Sequence, residues 1–268
     1  MSYASSKMPR VLIVAGSDSG GGAGVQADIK TVSAMGGYAA TAIAALTAQN
    51  TMGVFGVYPI PPEFVRQQME LVLDDIGADA IKTGMLFSAE IIEEVVDVLI
   101  KRSLLIPVVV DPVMTAKGGS RLLKQEAEQA MLTQLIPLAT LVTPNIPEAQ
   151  ILSGMRIANL KDMKVAAGKI MEAGAKSVLL TGGHLESDTL HDVYLSETEY
   201  EVFESKRIKT RDTHGTGCTI ASAIATELAR GKRTVDAIVT ARAYVRKAIE
   251  HAPGFGSGQG PLNHLVKV

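Results

Sequence analysis

The sequence predicts an α/β fold in which a mostly parallel sheet carries helices on both faces and a β-hairpin at or near its edge. Two observations support this class. Short apolar segments such as VLIVA (11–15), typical of fully buried strands, alternate along the chain with longer segments of helical periodicity. Strands that alternate with helices pair in parallel. The segments LHDVYL and YEVFES flank the turn SETE, which predicts the hairpin at 190–205.

The first predicted strand, 11–15, leads into the loop SDSGGG and then into a helix that ends at Gly36 and Gly37. Further buried strands are predicted from short apolar runs at 80–82, 108–111, 140–143 and 177–181. The remaining helices have apolar residues at helical spacing, and they are predicted at 61–76, 89–101, 125–134, 161–173, 216–230 and 235–251.

Composition and charge exclude several classes of protein. The 268 residues are 47% hydrophobic and 20% charged, which is too apolar for an intrinsically disordered chain. A net charge of −2 gives no broad basic surface for nucleic acid, and no apolar run is long enough to cross a membrane. The N-terminus lacks the apolar core of a secretory signal, and the single cysteine excludes an internal disulfide. We therefore expect a cytoplasmic protein with a flexible tail (1–10) and one domain (11–268), without nucleic-acid or membrane partners.

Four Gly-rich segments, at 16–24, 116–120, 214–218 and 254–260, do not match the common nucleotide-binding loops. None has the spacing GxxxxGK[ST] of the Walker-type phosphate loop, and none reads GxGxxG after a strand. The GxSxG turn of α/β-hydrolases and the HExxH motif of zinc proteases are absent as well.

The segment HGTGC precedes a predicted helix and is the clearest candidate site on physical grounds. Unpaired N–H groups from Gly215, Thr216, Gly217 and Cys218, together with the positive end of the helix dipole, favour an anion. Cys218 lies in the first helical turn, where the pKa of a thiol tends to fall. The alternative is an ordinary Gly-rich helix cap that contains a small buried cysteine.

Polar residues also follow two other predicted strands. Asp111 ends the segment VVVD, and Thr143, Asn145 and Glu148 follow the next strand. In open α/β sheets ligands bind at this edge, and a carboxylate there can hold Mg²⁺. As alternatives, Asp111 is only a turn residue, and the other three residues only cap a short helix.

Eight segments of the chain together form a recognisable pattern. They are AGSDSGGGAGVQADIKT (15–31), ALTAQNT (45–51), IKTGML (81–86), VVVDPVM (108–114), TPNIPEA (143–149), GGHL (182–185), THGTGC (213–218) and GxGxGPxxH (256–264). In this order they resemble the ribokinase-like kinases, and more closely the hydroxymethylpyrimidine/phosphomethylpyrimidine kinases of thiamine biosynthesis. The resemblance implies a three-layer ribokinase-like sandwich and a homodimer. It also implies that ATP, with Mg²⁺, phosphorylates the hydroxymethyl group of the pyrimidine and then the resulting monophosphate.

The resemblance further implies roles for the residues that handle phosphate. Cys218 matches the catalytic base, and Gly215, Thr216 and Gly217 match the anion hole around the transferred phosphoryl group. The residues that match metal-linked acids or the nucleotide-phosphate site are Asp111, Glu148, Thr143, Asn145, Thr181 and, on a mobile flap, Lys117.

For the pyrimidine, Gln49 matches the residue that reads the polar edge of the ring. The residues that fall in motifs lining the same pocket are Gly16, Asp28, Met85 and Val113.

One residue departs from the family pattern. The family commonly has lysine immediately before GGH, where this chain has Thr181, which keeps a hydroxyl donor but lacks a positive charge.

Two other functions stay open. One is a pyridoxal kinase on the same scaffold, since both substrates are flat, hydroxymethylated heteroaromatic rings. The other is a pyrimidine-binding regulator without catalysis, which the complete HGTGC segment and the lack of a DNA-binding extension disfavour.

Overall fold

A nine-stranded sheet forms the middle layer of the computed structural model, which describes residues 8–102, 105–115, 122–185 and 187–267. Its strands are β1 (Arg10–Asp18), β2 (Tyr38–Asn50), β3 (Gly53–Pro59), β4 (Ala80–Thr83), β5 (Val108–Val110), β6 (Leu141–Val142), β7 (Ser177–Leu180), β8 (Thr189–Ser196) and β9 (Tyr200–Lys206). Their order across the sheet is β3-β2-β1-β4-β5-β6-β7-β8-β9. The six strands from β2 to β7 in this order pair in parallel, and an antiparallel strand or hairpin lies at each edge.

Eight α-helices cover the two faces within the described residues. They are α1 (Gly24–Ala34), α2 (Pro62–Asp75), α3 (Ala89–Lys101), α4 (Gln125–Ala130), α5 (Ile146–Ser153), α6 (Leu160–Glu172), α7 (Thr216–Ala229) and α8 (Thr234–Glu250). None of them has the combination of length and apolarity that crossing a membrane requires.

The apolar core lies in two layers because successive side chains of a strand point to opposite faces. In β1, Leu12 and Val14 contact the layer formed with α2 to α6, whereas Val11, Ile13 and Ala15 contact α1, α7 and α8. The α/β three-layer architecture predicted from the sequence is therefore confirmed.

All five predicted strands and the predicted hairpin are present, the hairpin as β8 and β9 at one edge. The sequence analysis missed β2 and β3, which form a second antiparallel hairpin at the opposite edge. The β2 sequence YAATAIAALTAQN is rich in alanine, which has low strand propensity, so composition did not identify it. The helix predicted at 125–134 is α4 followed by a single π-helical turn, Met131–Leu135.

Candidate active site

A cavity of about 1290 Å³ opens at the carboxyl ends of the parallel strands. Its wall is formed by the Gly-rich loop after β1, the ends of β4 and β5, the starts of α5 and α7, and parts of β8, β9 and α8. This edge is where open α/β sheets bind ligands. A pocket for one small ligand is typically about 300–1,000 Å³, so this cavity has room for two ligands side by side.

The start of α7 presents backbone N–H groups to the cavity. Gly215 precedes the helix with φ 85°, and a Cβ there would lie 1.8 Å from the carbonyl oxygen of Gly22, so only glycine fits. The N–H groups of Gly217 and Cys218 have no acceptor among the residues that the structure describes. The predicted anion site therefore has the required geometry: open donors at the positive end of a 14-residue helix.

Three buried charged side chains meet beneath α7. Asp111 follows β5, and its Oδ2 lies 3.8 Å from Nζ of Lys82, which extends from β4. Lys82 also contacts both carboxylate oxygens of Asp28 at 2.9 Å. Both Lys82 and Asp28 are fully buried, and Lys82 reaches the cavity surface. Sequence reasoning missed Lys82, although a lysine inside a buried strand is itself a signal, because buried charges require partners.

Burial changes the protonation of the groups at this site. It raises the pKa of the Cys218 thiol to about 12, which outweighs the charge of Lys82, so the predicted fall in the thiol pKa is wrong. Burial also raises the pKa of Asp111 to about 6, against the opposing effect of Lys82. For Glu148, burial and the negative charge of Asp111 together raise the pKa to about 8. The Cys218 thiol, neutral in the free protein, lies beside Asp111 and favours the charged form of its carboxylate, which lowers the Asp111 pKa.

Asn145 and Glu148 form the helix cap that was one interpretation of them, and they also lie at the cavity. The Asn145 side chain accepts a hydrogen bond from the Glu148 N–H at 3.0 Å, and the Asn145 N–H donates to Glu148 Oε2 at 2.9 Å. This capping box closes the N-terminus of α5. Both side chains nevertheless border the cavity, so the cap also fixes a carboxylate near Asp111.

Asp18, at the end of β1, organises the Gly-rich loop. Its carboxylate accepts hydrogen bonds from the N–H groups of Gly20, Gly22 and Ala23 at 2.8 to 3.0 Å. It also lies 2.9 Å from Nε2 of His214, at the start of the HGTGC segment. Asp18 thus connects the loop after β1 to the start of α7, a role that sequence reasoning did not assign.

Gln49 lies at the end of β2, and its backbone and side chain contact different groups. The backbone N–H and C=O both bond to the Ser19 hydroxyl at 2.8 Å, which ties β2 to the Gly-rich loop. The side chain borders the cavity, with Oε1 3.2 Å from the Thr47 hydroxyl and Nε2 3.2 Å from His214 Nε2. The amide is therefore placed where it can meet a ligand.

Most of the other predicted site residues border the cavity, namely Gly16, Met85, Val113, Thr181 and Thr216. Two predictions need correction. Asp28 lies behind the cavity wall, because its carboxylate is engaged by Lys82 and by Ser222 Oγ at 2.7 Å. Thr143 is buried and its hydroxyl faces the Val110 carbonyl at 3.5 Å rather than the cavity. Lys117 lies outside the described residues.

The far half of the cavity lies against β8, β9 and α8. Arg207 donates to the carbonyls of Gly183, Leu185 and Ser187, which fixes the GGHL loop. Arg242 pairs with Asp192 at 2.8 Å. Arg207 and Arg242 both border the cavity, as does Thr181.

Asp111 and Glu148 are the charged residues that could hold a divalent cation at the cavity. No group of three or more His, Cys, Asp or Glu side chains suited to a metal occurs among the described residues. Mg²⁺ in phosphate-transfer sites, however, commonly uses one or two carboxylates and completes its shell with water and phosphate oxygens. Asp111 Oδ2 is buried without a hydrogen-bond partner, and the Glu148 carboxyl is nearby, so these two residues fit that pattern.

Comparison with known proteins agrees with this geometry. The family model described as phosphomethylpyrimidine kinase matches residues 18–263. A thiamine biosynthesis bifunctional protein of Geobacter sulfurreducens is 49% identical over 96% of this chain, which spans 52% of that longer protein. The hydroxymethylpyrimidine/phosphomethylpyrimidine kinase of Bacillus subtilis is 44% identical, over 96% of this chain and 95% of its own length.

A solved structure is similar in fold as well. An ADP complex of Bacillus subtilis pyridoxal kinase superposes with a TM-score of 0.88 at 39% identity, covering 96% of this chain and 98% of the other. The resemblance noted in the sequence motifs is therefore confirmed: the chain belongs to the phosphomethylpyrimidine kinase family of kinases.

Proposed function

We propose that residues 11–268 act as one kinase domain that transfers phosphate from ATP to 4-amino-5-hydroxymethyl-2-methylpyrimidine, and then to the resulting monophosphate, in thiamine biosynthesis. The observation that carries this proposal is the start of α7, whose open N–H groups face a cavity large enough for two ligands. The names of two relatives, one a thiamine biosynthesis protein and the other a hydroxymethylpyrimidine/phosphomethylpyrimidine kinase, support the choice of this pyrimidine as the substrate. The ADP complex of a similar kinase supports a nucleotide as the donor. The proposal includes a cytoplasmic location, as expected from the sequence.

In this proposal the N–H groups of Gly217 and Cys218 stabilise the negative charge on the phosphoryl group during transfer. Phosphoryl transfer depends mainly on positioning and charge stabilisation, and preorganised backbone donors supply both. Thr216 and Gly217 both border the cavity, and Gly217 lies beside Asp111, since a Cβ there would be 3.8 Å from its carboxylate.

Cys218 is the proposed proton acceptor for the attacking hydroxyl group. Burial keeps its thiol protonated, so Cys218 accepts a proton only if it gives up the one that it holds. The thiol first releases its own proton to solvent, a loss that the positive charge of Lys82 favours, and the substrate proton then moves to Sγ. The substrate oxygen then forms the new bond to phosphorus as the bond to the ADP leaving oxygen breaks.

Asp111 and Glu148 would hold Mg²⁺, which when bound offsets the negative charge of the ATP phosphates. Asn145 and Thr181 lie beside them and are proposed to bind the nucleotide phosphates. Glu148 must lose its proton to bind a cation, and its raised pKa means that cation and proton compete there.

A homodimer is part of the proposal. The β2–β3 hairpin at the sheet edge exposes Leu46, Phe55 and Tyr58, which are 43%, 72% and 68% exposed. Apolar side chains on an edge strand favour pairing with another chain. Replacing Tyr58 with lysine should convert the dimer to a monomer in light scattering, and a native protein that is already monomeric would contradict the dimer.

Pyridoxal kinase activity is the second candidate, favoured by the similarity to the pyridoxal kinase structure. The deciding experiment measures ATP consumption with the aminopyrimidine and with pyridoxal in parallel and resolves the phosphorylated products. We expect a higher kcat/KM for the pyrimidine and the appearance of both its mono- and diphosphate. A higher kcat/KM for pyridoxal would establish the second candidate instead, and no ATP-dependent product from either would overturn both.

A further inference from the structure

Lys82 places a buried ammonium group at the floor of the cavity. Its Nζ lies 2.9 Å from each carboxylate oxygen of Asp28. Ser222, one turn after Cys218 on α7, donates to the same carboxylate at 2.7 Å. Asp28 and Ser222 therefore fix the ammonium in one position.

The other side of the ammonium faces the reacting groups. Asp111 Oδ2 lies 3.8 Å from Lys82 Nζ, too far for a hydrogen bond, and it has no hydrogen-bond partner among the described residues. A Cβ at Gly84 would lie 3.0 Å from Nζ, so glycine there leaves space for the ammonium beside the cavity. Lys82 thus stands next to Asp111, and the charges of both residues act on Cys218.

The fold alone does not explain this lysine. Lys82 lies in the apolar layer between the sheet, α1 and α7, where its strand neighbours are fully buried. Replacing a buried ion pair with apolar side chains of similar volume is often neutral or stabilising. A methionine and an uncharged partner would serve the packing as well, so the charge calls for a chemical explanation.

We propose that Lys82 is a positioning residue for phosphoryl transfer. Its ammonium, anchored by Asp28 and Ser222, holds the Asp111 carboxylate in place and offsets the negative charge that develops beside Cys218 when the hydroxyl proton leaves. The inference rests on the proposed kinase function. Because this charge develops during the reaction, loss of the ammonium lowers kcat and leaves substrate binding nearly unchanged.

Two variants separate the ammonium from the ion pair. Asp28→Asn breaks the ion pair but keeps the ammonium, whereas Lys82→Met combined with Asp28→Asn removes both charges without leaving a lone buried carboxylate. We expect Asp28→Asn to keep kcat within about tenfold of the native value, and the double variant to lose about a hundredfold or more. Substrate Kd without nucleotide, measured by calorimetry, should stay within about threefold in both. Rates are expressed per substrate-binding site, so partial unfolding does not count as lost activity.

A merely structural ion pair predicts a different result. It would make the two variants equally impaired, or leave the double variant with its native kcat, and either outcome overturns the proposal. If the double variant does not fold, Lys82→Gln with Asp28→Asn decides in its place, because both amides can still hydrogen-bond. Arg10→Met is the control, since it breaks the Arg10–Asp79 pair at the opposite end of β1 and should lower Tm alone.

The assay uses whichever of the aminopyrimidine and pyridoxal the native enzyme phosphorylates. A native enzyme that acts only on pyridoxal would overturn the proposed substrate but would leave the test of Lys82 intact. A native enzyme that acts on neither would overturn the proposed function and, with it, the role of Lys82.

Discussion

Two helices, α5 and α7, begin at the same edge of the sheet and border the same cavity, but their N-termini are completed differently. In α5, Asn145 and Glu148 bond reciprocally to the first N–H groups. In α7, Gly215 has no side chain to cap the helix, and the Gly217 and Cys218 N–H groups have no acceptor in the described structure. One helix carries its own carboxylate, and the other is left to bind an anion from outside the chain. The contrast shows why a helix start can be a structural cap in one place and a binding site in another.

Gly215→Ala should have the largest effect on this contrast. Alanine is disfavoured at φ 85°, and its Cβ would lie 1.8 Å from the Gly22 carbonyl oxygen, so the loop after β1 and the start of α7 must separate. We expect a lower Tm together with loss of nearly all activity. Gly231→Ala is the matched control, since Gly231 has φ 82°, no atom lies within 4 Å of its added Cβ and it does not border the cavity, so this variant should keep its activity and lose only a little Tm. A native Tm and kcat in Gly215→Ala would mean that the close contact between these loops is not required.

Cys218→Ala should leave the helix intact and remove the proposed proton acceptor. Loss of a general base typically lowers kcat by about 10²–10⁴-fold. Far-ultraviolet circular dichroism and Tm check the fold, and steady-state kinetics give kcat. If kcat stays within about threefold of the native value, a group other than Cys218 receives the proton.

Glu148→Gln tests the carboxylate that α5 carries. A carboxyl whose pKa is raised from 4.5 to about 8 by folding favours the folded state when protonated. Its contribution to stability is therefore complete below pH 4.5 and is lost as the pH rises toward 8. With divalent cations chelated, the variant and the native protein should melt alike near pH 4, and the variant should be more stable at pH 8. Each unit of pKa difference corresponds to about 1.4 kcal/mol. Parallel Tm curves across this range would show that Glu148 does not titrate as expected.

The sequence predicted the strand–helix order and the edge that carries the site, because apolar runs and Gly-rich loops are local patterns. It failed where the outcome depends on three-dimensional neighbours. Asp28 was expected to line the pocket, but Lys82, 54 positions later, engages it behind the wall. The fall expected for the Cys218 pKa came from its place in the helix, whereas the burial that raises it comes from the surrounding elements. The β2 strand was missed because its alanines carry no strand signal of their own.

Substitutions of Asn145 should have the smallest effect. They separate its role in capping α5 from its proposed role in binding the nucleotide. Asn145→Ala removes the cap of α5 and should cost about 1 kcal/mol of stability. Asn145→Ser keeps a good N-cap, so its Tm should stay near the native value, but it loses the side-chain amide that borders the cavity. If Asn145 also binds the nucleotide, the serine variant should combine native stability with a KM for ATP raised about three- to tenfold, the loss of roughly one hydrogen bond. Denaturation curves and ATP kinetics on the two variants separate the roles. A serine variant with native stability and an unchanged KM for ATP would limit Asn145 to its place in the capping box.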